Sequence, residues 1–141
     1  MVICIGYEKR ENRKESWHMA EGFCGGFRTA FENGRLFVTD TIEKLKVLGD
    51  IVGEDTPWVG LDDIDQEDEF VWSDGCIMTP EERSTLFAPG EPNAHHGEDE
   101  NCGQLKDGFL NDEPCSWGYS YVCEMAIVSN PIKRDVFNDD P

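Results

Sequence analysis

Two acid-rich segments carry the residue types best suited to chemistry. The first is Phe87-Ala-Pro-Gly-Glu-Pro-Asn-Ala-His-His-Gly-Glu-Asp-Glu-Asn-Cys102, and the second is Leu110-Asn-Asp-Glu-Pro-Cys115. Prolines, glycines and clustered carboxylates leave no apolar period for a helix or strand in the first, so it reads as a loop. A globular chain has little reason to gather so many oxygen donors unless a cation sits among them. Carboxylates and amides are hard ligands, and a set of this size suits Ca²⁺, which takes about 6–8 oxygens. Glu91, Asn93, Glu100, Asn111 and Asp112 form the expected ligand set. The other elements of the chain must hold them still.

Other chemistry fits these segments less well. His95 and His96 are adjacent and cannot easily share one metal, and no HExxH spacing exists, so they read as exposed loop residues beside the site, within reach of a bound ligand. Carboxylates bound to calcium stay ionised and make poor proton donors. No Gly-x-Ser-x-Gly elbow or phosphate-cradling loop occurs, and the chain is read as a binding protein and not an enzyme.

The charge balance agrees. Of 141 residues, 30 are acidic and 12 basic, a net charge of −18. Such a field repels nucleic-acid phosphates and anionic membrane surfaces and makes cations the natural partners. The acids concentrate at 62–69 and 91–113, which favours ion binding over general solvation. The apolar runs Met1–Ile5 and Met125–Val128 are far short of the about 18 residues that cross a bilayer. The opening residues also lack the basic start and long apolar region of a signal peptide, as for a mature or trimmed domain. The length suits one domain with a modest core. Six cysteines, at 4, 24, 76, 102, 115 and 123, contain no CxxC pair, so disulfides in a secreted or extracellular setting are expected. Spacing does not choose among the many pairings.

Along the chain, residues 2–7 have strand composition. Ser16 can cap a helix with apolar positions Trp17, Ala20, Phe23, Cys24 and Phe27, closed near Gly25-Gly26. Leu36–Val38 reads as a short buried strand. Asp40 and Glu43 form a capping-box-like pair before a second helix with a stripe of Ile42, Leu45, Leu48, Ile51 and Val52. Strands are expected at 58–61, 70–72, 103–105 and 119–124, with a turn at 73–75 and little regular structure from 76 to 100. A loop that long in a small domain is usually functional.

This order of features resembles the C-type lectin-like domain. The resemblance rests on two helices, Trp58-Val-Gly-Leu61, Phe70-Val-Trp72 with Asp74-Gly75, Glu91-Pro-Asn93, Glu100-Asn-Cys102, Asn111-Asp112, Cys115 and Tyr121-Val-Cys-Glu124. It spans residues 2–126, leaving 127–141 as a polar tail. It implies an α+β C-type lectin-like fold, with two helices flanking small antiparallel sheets and a long calcium-binding loop region. It also implies disulfides Cys24–Cys123 and Cys102–Cys115. Cys4 and Cys76 depart from the pattern; they could pair with each other, link a homo-oligomer, or stay reduced.

The resemblance further implies that two neighbouring hydroxyls of a glycan complete the shell of the Ca²⁺. Each hydroxyl would donate to an acid and accept from an amide, which makes Glu91 with Asn93, and Glu100 with Asn111, the two acid and amide pairs, with Asp112 adding charge. The order Glu-Pro-Asn resembles the mannose-type set, suited to mannose, glucose, N-acetylglucosamine or fucose, with the Glu91–Pro92 bond cis. Glu98 is the alternative to Glu100. Phe87 and Leu110 stand where the family usually has tryptophans. An auxiliary calcium site would use Asp63, Glu67 and Asn101, although Ala94 and Asn101 replace usual acids. The rival reading is a structural or mineral- or ice-interacting acidic protein of the same fold without sugar binding.

Overall fold

The computed structural model describes residues 2–7, 14–26, 34–92 and 101–127, in ten elements. Strand β1 (Val2–Tyr7) runs antiparallel to the last strand, β7 (Val122–Ile127), so the two ends of the fold are zipped together. The other edge of β7 pairs with β2 (Gly34–Leu36), giving a three-stranded sheet β1-β7-β2. A second sheet, β4-β3-β5-β6, contains β3 (Trp58–Asp62), β4 (Val71–Trp72), β5 (Asn101–Lys106) and β6 (Phe109–Pro114). The expected tail lies outside the described residues from 128 onward, as do Phe27, Asn93, His95, His96, Glu98 and Glu100.

Helix α1 (Trp17–Gly25) starts where expected. The Ser16 hydroxyl accepts from the Met19 N–H at 3.3 Å, and Trp17, Ala20 and Cys24 are buried. Phe23 is not part of that stripe; it is exposed and stacks on Tyr121 at 6.2 Å between ring centroids. Helix α2 (Ile42–Val52) is capped by Thr41, whose hydroxyl accepts from the Lys44 N–H at 3.1 Å, and not by Asp40. Asp40 lies 3.8 Å from the Lys44 ammonium instead. Leu45, Leu48 and Val52 face the core, while Ile42 and Ile51 fall outside the narrow buried arc and are exposed.

A third helix, α3 (Pro80–Leu86), crosses the stretch expected to be irregular. Its start has a full capping box: Thr79 and Glu82 each accept the other's backbone N–H at 3.0 Å, with Pro80 in the first turn. Seven residues are too few to show an apolar period, so the cap is its main sequence signal. The second segment of the site also proves regular. Asn111 and Asp112 lie on β6, joined to β5 by Asp107-Gly108, whose φ values of 53° and 86° suit a tight two-residue hairpin. β5 and β3 pack closely, since a Cβ on Gly103 would stand 2.9 Å from the Leu61 Cβ.

Two apolar clusters fill the interior. The larger joins α2, α3 and the second sheet through residues such as Leu48, Val59, Trp72, Leu86, Phe87 and Leu110. The smaller contains Trp17, Trp58, Leu36 and the four cysteines of two disulfides, Cys24–Cys123 and Cys102–Cys115, with Cα separations of 5.3 and 5.1 Å. Both pairings are those the resemblance implied. Closing loops of 99 and 13 residues, they stabilise the fold by about 4.7 and about 3 kcal/mol on loop entropy alone. Cys76 is a free, exposed thiol, so it does not pair with Cys4.

A buried carboxylate ties the first sheet to α2. Glu124, 2% exposed, receives the Arg35 Nε at 2.7 Å and the Val38 N–H at 3.3 Å, with the Lys44 ammonium 3.7 Å away. The pairing compensates the burial of its charge.

Candidate functional site

The site is built where the chain leaving α3 meets the start of β6. Phe87 forms a parallel bridge with Leu110, and the Ala88 N–H donates to the Leu110 carbonyl at 3.1 Å. Both anchors are buried, so the two apolar replacements keep the segment seated. Ala88-Pro-Gly-Glu91 then turns back: the Glu91 N–H donates to the Ala88 carbonyl at 2.9 Å, and Gly90 has φ 87°, the geometry of a type II turn with Pro and Gly in its favoured places. The Glu91–Pro92 bond is cis, as the resemblance implied.

This turn brings Glu91 against Asp112. The two carboxyls share a hydrogen bond, and the Glu91 carboxyl is pushed up to about 7. Burial is the largest cause, followed by the hydrogen bond to Asp112 and the charges of Asp112 and Glu113; Lys106 works in the opposite direction. Two acids pressed together in this way are the arrangement that a divalent cation relieves. Asn111, the neighbouring residue on β6, contributes an amide 8% exposed. Among the described residues no three His, Cys, Asp or Glu side chains converge on one point. The described part of the expected ligand set is therefore Glu91, Asn111 and Asp112, and the chemistry of these donors fits a hard cation.

A second arrangement also includes Asp112. Asp63, Glu67, Asn101 and Asp112, with Asp68 and Pro92, line a cavity of about 190 Å³. Asp63 is buried and holds the loop in shape: its Oδ1 accepts the Asn101 N–H at 2.9 Å and its Oδ2 the Asp68 N–H at 3.0 Å. Arg83 on α3 holds Asp68, donating to its carbonyl at 2.9 Å and to its carboxylate at 2.6 Å. The structure thus gathers all three expected auxiliary residues and adds Asp112. Asp68 was missed by the reading of ligand types, because its φ of 70° and its pairing with Arg83 depend on the fold.

The lectin C-type domain family model matches residues 13–125, and the chain belongs to this family. The chain is 32% identical over 115 residues to the hepatic lectin of Gallus gallus, an alignment covering 79% of this chain and 51% of that protein. The carbohydrate-recognition domain of the mouse scavenger receptor C-type lectin superposes with a TM-score of 0.72 at 26% identity, covering 87% of this chain and 89% of that one. The cow CD23 domain, whose structure was obtained in the presence of a GlcNAc2Man3 oligosaccharide, superposes with a TM-score of 0.71 at 25% identity, covering 89% and 88%. The chain spans between 34% and 51% of the length of the first lectins among its curated relatives. Domains of this family bind glycans, generally hold Ca²⁺ and are typically not enzymes. Two disulfides accord with an extracellular setting, and among the described residues no helix is long and apolar enough to cross a membrane.

Proposed function

We propose that this domain binds glycans of the mannose type in a calcium-dependent manner. Glu91, Asn93, Glu100, Asn111 and Asp112 would hold the Ca²⁺, which when bound offers open coordination positions to two neighbouring sugar hydroxyls. The observation that carries the reading is the Glu91–Asp112 carboxyl pair, placed by the turn at 88–91 and the Phe87–Leu110 bridge. The protein's own groups orient the ligand. Glu91 accepts a hydroxyl proton, Asn93 donates to the same hydroxyl, and Glu100 accepts from the other. The Glu-Pro-Asn order at 91–93 supports equatorial vicinal hydroxyls as in mannose, glucose, N-acetylglucosamine or fucose. His95 and His96 stand close enough in sequence to touch a longer glycan. Asp63, Glu67 and Asn101 would hold an auxiliary ion. Residues 2–126 act as the recognition domain, secreted or displayed outside the cell. Single sites of this kind bind weakly, and several copies raise avidity, with Cys76 or Cys4 as candidate links.

A glycan array probed with and without chelator tests the reading. Signal on mannose-terminated glycans that vanishes with chelator is expected. Adsorption to calcium mineral with no glycan response would establish the structural rival instead.

A further inference from the structure

The acidic segment after β3 closes in a turn at 66–69. The Glu69 N–H donates to the Gln66 carbonyl at 3.0 Å, and Asp68, third in the turn, has φ 70°, where glycine or asparagine is favoured. An aspartate there carries a backbone cost that a glycine would avoid, and what it adds is a carboxylate. Arg83 takes that carboxylate at 2.6 Å from Nη2 and the carbonyl of the same residue at 2.9 Å from Nη1. A planar fork of this kind fixes direction as well as distance, which an ammonium does not. The guanidinium is itself seated, lying over the Phe70 ring at 5.6 Å from the centroid. Phe70 is buried and packs on Phe87 at 5.4 Å between ring centroids, so the support under Arg83 belongs to the core.

Asp68 passes this hold on to a buried acid. While Arg83 grips its carbonyl and carboxylate, its N–H donates to Asp63 Oδ2 at 3.0 Å, and the other oxygen of Asp63 accepts the Asn101 N–H at 2.9 Å. The carboxylate of Asp63 is thus oriented from β5 on one side and from α3, through Asp68, on the other. Glu67, which shares a peptide bond with Asp68, lines the same cavity as Asp63. The ion pair is exposed, with 35% of the Arg83 side chain and 70% of the Asp68 side chain open to solvent, so it contributes little to stability. Its weight lies in the geometry it imposes.

We propose that Arg83 is a positioning residue for the auxiliary cation: by fixing Asp68 it holds Asp63 and Glu67 ready at the cavity. This role rests on the auxiliary-ion reading above and deepens it. By charge alone Arg83 would oppose the ion, because it sets a positive group beside a cation position. Positioning and charge therefore act with opposite signs, and removing Arg83 separates them.

Calcium titration calorimetry on the intact protein and on Arg83→Met and Arg83→Lys, at a temperature where each is folded, tests this. Arg83→Met keeps an apolar stem against Phe70 and loses both charge and fork; Arg83→Lys keeps the charge and loses the fork. The auxiliary ion, identified as the one lost in Asp63→Asn, should bind about tenfold more weakly in Arg83→Met, although a cationic neighbour has gone. It should be weakened in Arg83→Lys as well. With chelator present, amide hydrogen exchange at Asp68 should speed up in both variants, while the melting temperature changes little. Unchanged or tighter binding in Arg83→Met, or unchanged binding in Arg83→Lys, overturns the positioning role. So does weaker binding with the exchange at Asp68 unaltered. If the unmodified protein and Asp63→Asn each bind one ion, the auxiliary-ion reading itself falls, and the role of Arg83 with it.

Discussion

The carboxyl of Glu91 lies against that of Asp112, and burial together with that neighbour keeps a proton on Glu91 up to about pH 7. A divalent ion must displace that proton. Since the Glu91 carboxyl is pushed up to about 7, calcium affinity should be pH-independent well above 7 and should fall on acidification, approaching about tenfold per pH unit for each proton displaced. Calcium titrations between pH 5 and 8 check this, with mannoside binding following the same curve. Glu91→Gln should bind calcium weakly at every pH and lose most of the slope. An unchanged affinity across the range would count against Glu91 as a ligand.

Without calcium the sign of the pH dependence reverses for stability. Glu21, Asp62 and Glu91 are all raised, each chiefly by burial. A carboxyl whose folded value lies above its unfolded one stabilises the fold fully below the unfolded value, near about 4, and that contribution is lost as pH rises through the folded value. The chelated protein should therefore melt at a lower temperature at pH 8 than at pH 5, with self-repulsion of the net charge of −18 acting in the same direction. Excess calcium should raise the melting temperature most at the alkaline end. Scanning calorimetry with chelator and with calcium measures both trends, and a chelated protein that grows more stable from pH 5 to 8 would contradict them.

The Cys102–Cys115 bridge ties the start of β5 to the end of β6, on either side of the candidate ligands. Replacing both cysteines by serine should cost about 3 kcal/mol by loop entropy, since the loop is short. Calcium affinity should fall as well, because Asn101 and Asp112 would lose a shared anchor. Urea unfolding and calcium titration of the double variant give the two numbers separately. A loss of stability with unchanged affinity would confine the bridge to the fold.

Much of this architecture was legible because its signals are local or ordered along the chain. The helix at Ser16, the strand at 2–7 and the order of acids, prolines and cysteines sufficed to suggest the fold, and the family resemblance they carry implied both disulfides. Errors arose where a local signal had competitors. Asp40 and Thr41 are both good caps, and only the packing of α2 selects Thr41. The Thr79–Glu82 capping box was present in the sequence, but the acids and prolines around it suggested a loop. Asn111 and Asp112 fall between the expected strands at 103–105 and 119–124, and carboxylates and amides disfavour strands; pairing with β5 and the Asp107-Gly108 turn override that preference. The hydrogen bonds from the Asn111 amide to Gln104 and Glu113 depend on cross-strand register, which no single segment encodes. Asn93 and Glu100 lie outside the described residues, so their placement rests on the sequence motif.

Asp63 links the stability of the loop to the second cation position. Its two carboxylate oxygens accept the backbone N–H groups of Asn101 and Asp68 from inside the protein, and the same side chain lines the cavity shared by Glu67, Asn101 and Asp112. In Asp63→Ala both donors lose a charged acceptor, at a cost of about 3 kcal/mol or more. Asp63→Asn is the sharper variant. Its one remaining oxygen can serve either Asn101 or Asp68 but not both, and the amide nitrogen cannot ligate a cation. The stability cost should be smaller, about 1–2 kcal/mol, while any auxiliary ion should be lost. Calcium stoichiometry by isothermal titration should then drop from two ions per chain toward about one. The remaining ion should keep its mannoside response, because Glu91, Asn111 and Asp112 are unchanged. Two ions still bound in the Asp63→Asn variant would confine Asp63 to holding the loop.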